Sequence, residues 1–125
     1  MKIVNTDKAP AAIGPYSQAI ISGGLVFTSG QIPVDPATGA VAGETIVEQA
    51  KQVMANLQVV LAAAGTTPER TVKTTCFLAD MADFAAFNEI YAQTFTSKPA
   101  RSCVAVRTLP KGVLCEVEVV AETEA

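Results

Sequence analysis

Hydrophobic and polar positions in the first half of the chain predict a β-hairpin followed by a helix. Two short apolar runs, residues 19–22 and 25–29, flank a pair of glycines, and this pattern is typical of two strands joined by a tight turn. Across residues 45–64, apolar side chains recur at steps of three and four, which is the stripe of an amphipathic helix. Gly65 then follows as a residue suited to end that helix.

The second half of the chain predicts a strand, a second helix and two further strands. Residues 72–78 are β-branched and aromatic, which favours a strand, and Asp80 or Asp83 can then cap a helix. Residues 101–108 and 113–121 return to strand chemistry on either side of a connection rich in proline and glycine. The apolar stripe of the second helix consists of Phe84, Phe87, Tyr91 (with Ile90) and Phe95.

This order of elements, β-β-α-β-α-β-β, predicts an α+β fold for residues 1–125 as a single domain. A chain of 125 residues can bury one core but is too short for two full domains. We expect a mixed sheet with both helices packed on one face. Because the opposite face would still need cover, and charged residues make up only 17% of the chain against about 25% in an ordinary domain, we expect a homo-oligomer.

Charge and hydropathy argue against nucleic acid and membranes as partners. The net charge is -3 and the pI is about 4.8, whereas proteins that bind phosphate backbones usually carry a basic surface. The first residues lack the apolar segment of a signal peptide, and no apolar run approaches the roughly 18 residues of a membrane span. We therefore expect the protein in the cytoplasm.

Cysteine and histidine usage narrows the chemistry. The three cysteines have no CxxC spacing, which indicates neither a disulfide framework nor a thiolate zinc site. The chain contains no histidine, which excludes Ser-His-Asp triads, Cys-His pairs and His-ligated metal sites. We expect any catalysis to use arginine, glutamate, tyrosine, serine, cysteine, backbone N–H groups and water, with no metal.

Two charged residues on the predicted C-terminal strands could carry chemistry. Arg101 follows Pro99 at the start of a strand, where a guanidinium can hold a carboxylate through two parallel hydrogen bonds. The alternative is an ordinary surface ion pair. Glu116 has apolar neighbours on its own face of the strand, and partial desolvation would raise its pKa toward a value useful for acid/base catalysis. The alternative is a glutamate on the solvated face of an edge strand.

Three further positions carry weaker signals. Cys103 could be a nucleophile, but without histidine it has no obvious base, and a small packing residue is the better interpretation. Tyr16, and Ser29 with Gly30, are polar or backbone-exposing positions among glycines and prolines, and ordinary loop structure explains them equally well.

Four segments together resemble the RidA/YjgF family of enamine and imine deaminases. They are APAAIGPYSQAI at 9–20, TSGQIPVDPATG at 28–39, AAAGTTPERTVKTTCFLADMADFAAFNEIY at 62–91 and PARSCVAVRTLPKGVLCEVEVVA at 99–121. The resemblance implies a chorismate-mutase-like fold, a homotrimer with ligand sites between subunits, and no cofactor. It also implies hydrolysis of 2-aminoacrylate, 2-iminobutanoate and 2-iminopropanoate to 2-oxo acids and ammonia.

The resemblance also assigns roles to residues of this chain. Arg101 matches the arginine that binds the substrate carboxylate, and Glu116 matches the site glutamate, which we expect to activate the attacking water. Tyr16 is expected to join them in catalysis. The other matched positions are expected to bind the substrate: Ser29, Gly30, Cys103 and Asn88. Gly30 and Cys103 would act through their backbone N–H groups, and Asn88 would have a supporting role.

One segment departs from the family pattern, and two other functions stay open. Residues 93–98 are a few residues shorter than in many relatives, and Lys98 stands where an apolar residue is common, so the rim of the pocket is expected to differ. The first alternative to an enzyme is a sensor that binds 2-oxo acids without turnover. The second is an RNA-cleaving translation inhibitor, against which the acidic charge and the absence of histidine count.

Overall fold

The computed structural model describes residues 1–124, which form one six-stranded sheet and two α-helices. In chain order the elements are β1 (Lys2–Val4), β2 (Ala19–Ser22), β3 (Leu25–Thr28), α1 (Ile46–Ala63), β4 (Thr71–Leu78), α2 (Phe84–Thr94), β5 (Ala100–Ala105) and β6 (Cys115–Glu122). The predicted α+β architecture with two helices is confirmed. No helix among the described residues combines the length and apolarity needed to cross a membrane.

The predicted hairpin is formed by β2 and β3. Gly23 and Gly24 have φ values of 60° and 79°, the positive values that a two-residue type I′ turn requires at both central positions. The strands pair in register from Ser22 opposite Leu25 back to Ala19 opposite Thr28. The two glycines therefore fix both the turn and the register that carries the chain into Ser29 and Gly30.

Helix α1 lies within one or two residues of its predicted bounds because both ends carry local signals. At its start, the Thr45 hydroxyl accepts a hydrogen bond from the Glu48 backbone N–H, and the Glu48 carboxylate accepts one from the Thr45 N–H, forming a capping box. At its end, Gly65 follows the helix with a φ of 80°. The residues of the helix that are fully buried against the sheet are Ala50, Val53, Leu57, Val60 and Leu61.

Helix α2 begins after a short 3-10 turn that Asp80 caps. The Asp80 carboxylate accepts a hydrogen bond from the Ala82 N–H at 2.8 Å, whereas Asp83, the other candidate cap, makes no such bond. The predicted aromatic stripe packs along the helix, with ring centroids 5.9 Å apart for Phe87 and Tyr91. This stripe faces the sheet, since the Tyr91 hydroxyl hydrogen-bonds that of Thr74 on β4 at 2.7 Å.

Among residues 1–124, the strand order is β1-β2-β3-β6-β4-β5, and only β4 and β5 run parallel. The predicted mixed sheet is thus confirmed, with differences of two residues or more at three strands. The strand predicted at 113–121 begins at Cys115, after a 3-10 turn at residues 110–112. Strand β1 was not predicted, because it has only three residues and gives no periodic signal. The predicted strand 101–108 ends at Ala105, because its neighbour β4 ends at Leu78, which pairs with Ala105. Arg107, which was expected on this strand, therefore lies beyond it.

The core lies between the helices and one face of the sheet. Alternate residues of β6 point into it and are buried, namely Cys115, Val117 and Val119. The intervening residues Glu116 and Glu118 are half-buried on the other face. That second face carries no helix among residues 1–124, and we call it the open face.

Candidate functional site

The Arg101 guanidinium is fixed on the helix-covered face of the sheet. Arg101 pairs in register with Thr74, whose hydroxyl contacts α2. One guanidinium nitrogen, Nη1, donates to the Asn88 carboxamide oxygen at 2.7 Å. The guanidinium carbon lies 4.8 Å from the ring centroid of Tyr91 and 5.5 Å from that of Phe84, within the range of cation–π attraction. A guanidinium has five N–H donors, so this arrangement orients the group while leaving donors for a ligand.

A cavity of about 310 Å³ opens in front of this arginine, and we call it the arginine cavity. Its volume lies at the lower end of the range of small-molecule sites. It contains two cationic side chains and, among the described residues, no carboxylate in its lining. The residues that line it are Asn88, Tyr91, Ala92, Phe95, Lys98, Pro99 and Arg101.

Glu116 lines a second cavity, also of about 310 Å³, which we call the glutamate cavity. Burial raises the pKa of the Glu116 carboxyl group, and the neighbouring negative charge of Glu118 raises it further. A carboxylate of raised pKa is a stronger base than an ordinary surface glutamate. The lining of this cavity consists of Tyr16, Ser29, Gly30, Ile32, Pro110 and Glu116.

Gly30 allows the Glu116 carboxylate to lie directly against the backbone. A Cβ atom added at position 30 would overlap Glu116 Oε2 and lie 2.8 Å from its carboxyl carbon. The φ of Gly30 is not in the left-handed region, so close approach, rather than backbone conformation, requires glycine here. The backbone is held in place because Gln31 and Val117 exchange hydrogen bonds, with N···O distances of 2.8 and 3.2 Å.

Tyr16 reaches the glutamate cavity from a loop that Gln18 anchors, and Ser29 reaches it from the end of β3. The Ser29 hydroxyl donates to the Ser17 carbonyl at 2.6 Å, and the Tyr16 side chain is 53% exposed at the cavity rim. Gln18 is buried, and its amide nitrogen donates to the carbonyls of Thr6 and Pro10 at 3.0 and 2.8 Å. Sequence reasoning missed Gln18, because a glutamine before a strand gives no sign of which backbone groups it will bind.

Cys103 lies on the same face as Arg101, two residues further along β5, and pairs in register with Cys76. It is half-buried, and burial raises the pKa of its thiol, with the charge of Arg101 acting in the opposite direction. A thiol of raised pKa stays protonated at neutral pH and is a poor nucleophile. These observations favour a packing role for the Cys103 side chain over a nucleophilic one.

Within one chain, the structure does not bring the two cavities together. Partners in a sheet ladder share a face, so Arg101 lies on the face of its partner Thr74, and Glu116 lies on the face of its partner Phe77. Thr74 and Phe77 are three residues apart on one strand and therefore point to opposite faces. The arginine and the glutamate thus belong to opposite sides of the sheet.

Two groups around the arginine were missed as site residues. Phe84 and Tyr91 were predicted only as parts of a helix stripe, yet their rings flank the Arg101 guanidinium. Their spacing of seven residues places them on one helix face, but a sequence cannot tell which strand residue will lie beneath that face. Among residues 1–124, no three Cys, Asp or Glu side chains cluster in a way that could hold a metal ion.

Comparisons with known proteins agree over nearly the whole chain. A family model described as endoribonuclease L-PSP matches residues 6–123. A RutC family protein of Synechocystis is 56% identical over 124 residues, covering 97% of this chain and 95% of its own. A Salmonella typhimurium protein named 2-iminobutanoate/2-iminopropanoate deaminase is 50% identical over 124 residues, covering 96% of each chain.

A solved structure gives the same result for the fold. The crystal structure of E. coli TdcF with bound serine superposes with a TM-score of 0.94 at 43% identity, covering 99% of this chain and all of that one. The resemblance found in the four sequence segments is therefore confirmed. The chain belongs to the Rid/RutC family, whose family model is described as endoribonuclease L-PSP.

Proposed function

We propose that the protein is a cytoplasmic homotrimeric enzyme that hydrolyses small carboxylate-bearing imines and enamines to 2-oxo acids and ammonia. The substrates would include 2-aminoacrylate, 2-iminobutanoate and 2-iminopropanoate. Two comparisons support this class of substrate. The Salmonella relative is named as a deaminase of the last two compounds, and E. coli TdcF holds serine, a small molecule with a carboxylate and an amine.

The placement of Arg101 and Glu116 on opposite faces of the sheet is the observation that carries the proposal. A binding arginine and a base of raised pKa are the two groups this hydrolysis needs, and one chain holds them apart. A complete site therefore requires two copies, with the arginine cavity of one copy against the glutamate cavity of the next. Such a head-to-tail contact uses two different surfaces, and it closes into a ring if the rotation permits.

Exposed apolar side chains on the open face support this assembly. Phe27, Val72 and Val104 expose apolar side chains in the absence of a second copy. Of these, Phe27 and Val104 share the open face with Glu116, since Val104 pairs with Phe77 and Phe27 with Val120. A ring of three copies, the assembly that the family resemblance implies, would cover this surface and form three equivalent sites.

The proposed mechanism needs little beyond placement and one base. Arg101 would hold the substrate carboxylate in two parallel hydrogen bonds, and Glu116 of the neighbouring copy would take a proton from a water molecule. Hydroxide adds to the imine carbon and Glu116 returns the proton to nitrogen, which gives a carbinolamine. Glu116 then transfers the proton of the carbinolamine hydroxyl to nitrogen, so that the C–N bond breaks and ammonia leaves the 2-oxo acid. Tyr16 and Ser29 would complete the polar lining. Positioning and one general base together can account for a rate gain of at least about 10² to 10⁴.

The first test replaces Arg101 and uses Arg107 as a matched control. Losing one partner of a charge pair with a ligand costs about 2–5 kcal/mol, so Arg101→Ala should lower kcat/KM by roughly 30-fold or more. Arg101→Lys should also be impaired because the planar fork is lost. Arg107→Ala, at an exposed position beyond the strand, should keep wild-type activity. Ammonia release from 2-aminoacrylate generated in situ by a dehydratase is the measurement.

Equal ammonia release by the wild type and Arg101→Ala would refute the proposal. Far-UV circular dichroism and size-exclusion chromatography establish that each variant folds and assembles. Calorimetry with 2-oxobutyrate separates the enzyme from a sensor, because a sensor would bind this product without accelerating imine hydrolysis.

The second test asks whether each site draws on two chains. Arg101→Ala and Glu116→Gln are each expected to be inactive alone. In trimers assembled from equal amounts of both, one site in four combines an intact arginine with an intact glutamate, so about a quarter of wild-type activity should return. No recovery in the mixed trimers, with both variants confirmed to exchange subunits, would contradict the two-chain site.

RNA cleavage is the second candidate function, because the matching family model is described as an endoribonuclease. The net charge of -3 opposes the counterion-release binding that phosphate backbones favour. RNA cleavage that persists after removal of host nucleases and disappears in Glu116→Gln would support this candidate over the deaminase.

A further inference from the structure

Lys98 occupies a constrained position at the rim of the arginine cavity. It lies in the bend between α2 and β5, where its backbone φ of 56° falls in the left-handed region that residues with a Cβ seldom adopt. Its N–H donates to the Phe95 carbonyl at 3.3 Å, and Pro99 follows it directly. The short bend therefore holds the exposed residue Lys98 at the rim of the cavity that this residue lines.

The charges around this cavity are all of one sign. Arg101 is already oriented by Asn88 and by two aromatic rings, and Lys98 adds a second cation to the same lining. Within one copy, and among the described residues, the lining contains no aspartate or glutamate to neutralise either cation. The carboxylate that the next copy would add, Glu116, is the proposed base. This local excess of positive charge contrasts with the net charge of the whole chain, which is -3. A ligand with a single carboxylate would satisfy only one of the two cations.

We propose that Lys98 is a specificity-determining residue that binds a second anionic group, so that the site accepts imines of acidic amino acids. The inference rests on the proposed deaminase function and names a substrate class for it. Arg101 would hold the carboxylate next to the imine carbon in its planar fork, and Lys98 would meet the distal carboxylate of a four- or five-carbon substrate. A lysine suits the second task because its flexible stem carries a compact charge that needs no fixed geometry.

The test compares two substrates of equal carbon chain length that differ in the distal carboxylate. Imines of norvaline and glutamate are generated in situ by amino-acid oxidases, and kcat/KM is measured for the wild type, Lys98→Met and Lys98→Arg. Lys98→Met should lower kcat/KM for the glutamate imine about fivefold, near the upper end for exposed ion pairs, and change that for the norvaline imine less than twofold. Lys98→Arg should retain the preference. Lys51→Met, at an exposed position on α1, is the matched control and should change neither value.

Equilibrium binding gives a readout that does not depend on turnover. Calorimetry at low ionic strength should show that Lys98→Met weakens binding of 2-oxoglutarate about fivefold and leaves binding of 2-oxopentanoate unchanged. If Lys98→Met changes both ligands equally, or neither, the inference about Lys98 is wrong while the deaminase proposal stands. If no imine is hydrolysed by the wild type, the deaminase proposal fails, and the two dissociation constants still decide the role of Lys98.

Discussion

Replacing Gly30 with alanine should remove activity by displacing Glu116 and leave the fold intact. The added Cβ would overlap the Glu116 carboxylate, so one of the two groups must move. Gly30 lies in backbone held by the hydrogen bonds of Gln31 with Val117, whereas the glutamate side chain can rotate toward its cavity. The backbone at position 30 also suits an L-residue, since its φ lies outside the left-handed region. We therefore expect the carboxylate to swing away.

The size of the effect follows from what Glu116 is proposed to contribute. A displaced base would forfeit the factor of about 10² to 10⁴ that general base catalysis supplies, and kcat/KM should fall by roughly that amount. Overpacking typically costs about 1–3 kcal/mol, so urea unfolding should show a modest loss of stability. Binding of 2-oxobutyrate should change little, because the substitution leaves Arg101, which would hold the ligand carboxylate, in place.

A double-mutant cycle shows whether the effect of Gly30→Ala acts through Glu116. In the ammonia-release assay, Gly30→Ala, Glu116→Gln and the double variant should have nearly equal activity, because a base can be lost only once. If Gly30→Ala keeps activity within about twofold of the wild type, the close approach of Gly30 and Glu116 has no catalytic consequence. If the double variant loses activity by the product of the two single-variant factors, Gly30→Ala lowers activity independently of the Glu116 carboxylate.

Two further predictions concern pH and stability. Glu116 acts as a base only when deprotonated, so kcat/KM should fall as the pH drops through the raised pKa of Glu116. The Glu118→Gln substitution removes a negative charge that raises this pKa, so it should move the acid limb of the pH–rate profile to lower pH. An unmoved limb would mean that Glu118 does not influence the base. Asn56 is buried and donates from its amide nitrogen to the carbonyls of Ile32 and Val34 at 3.2 and 3.0 Å. Asn56→Ala should lower the free energy of unfolding in urea by roughly 1–3 kcal/mol, and a loss below about 0.5 kcal/mol would contradict a supporting role for these bonds.

Local signals in the sequence were sufficient for several elements. The paired glycines of the hairpin, and the apolar stripe of α1 with its end at Gly65, each depend on neighbouring residues alone, and the structure confirms both. The resemblance to the Rid/RutC family supplied the list of seven candidate site residues. The structure places six of them in the linings of the two cavities, and one of these six, Asn88, also accepts a hydrogen bond from Arg101. Cys103 is the one that lies beside Arg101 on β5.

Short and edge elements could not be predicted from sequence. Strand β1 is too short to show a period, and the end of β5 is set by the length of its neighbour β4 rather than by its own residues. The aromatic partners of Arg101 were likewise hidden, since they depend on how α2 crosses the sheet.

The sequence by itself determined which residues of a strand share a face, because a strand has a period of two whatever its surroundings. Only the tertiary structure decided that Arg101 faces the helices and Glu116 the open face, because this relation depends on the register between β4, β5 and β6. Register arises from contacts between residues far apart in the chain, and local periodicity carries no information about it.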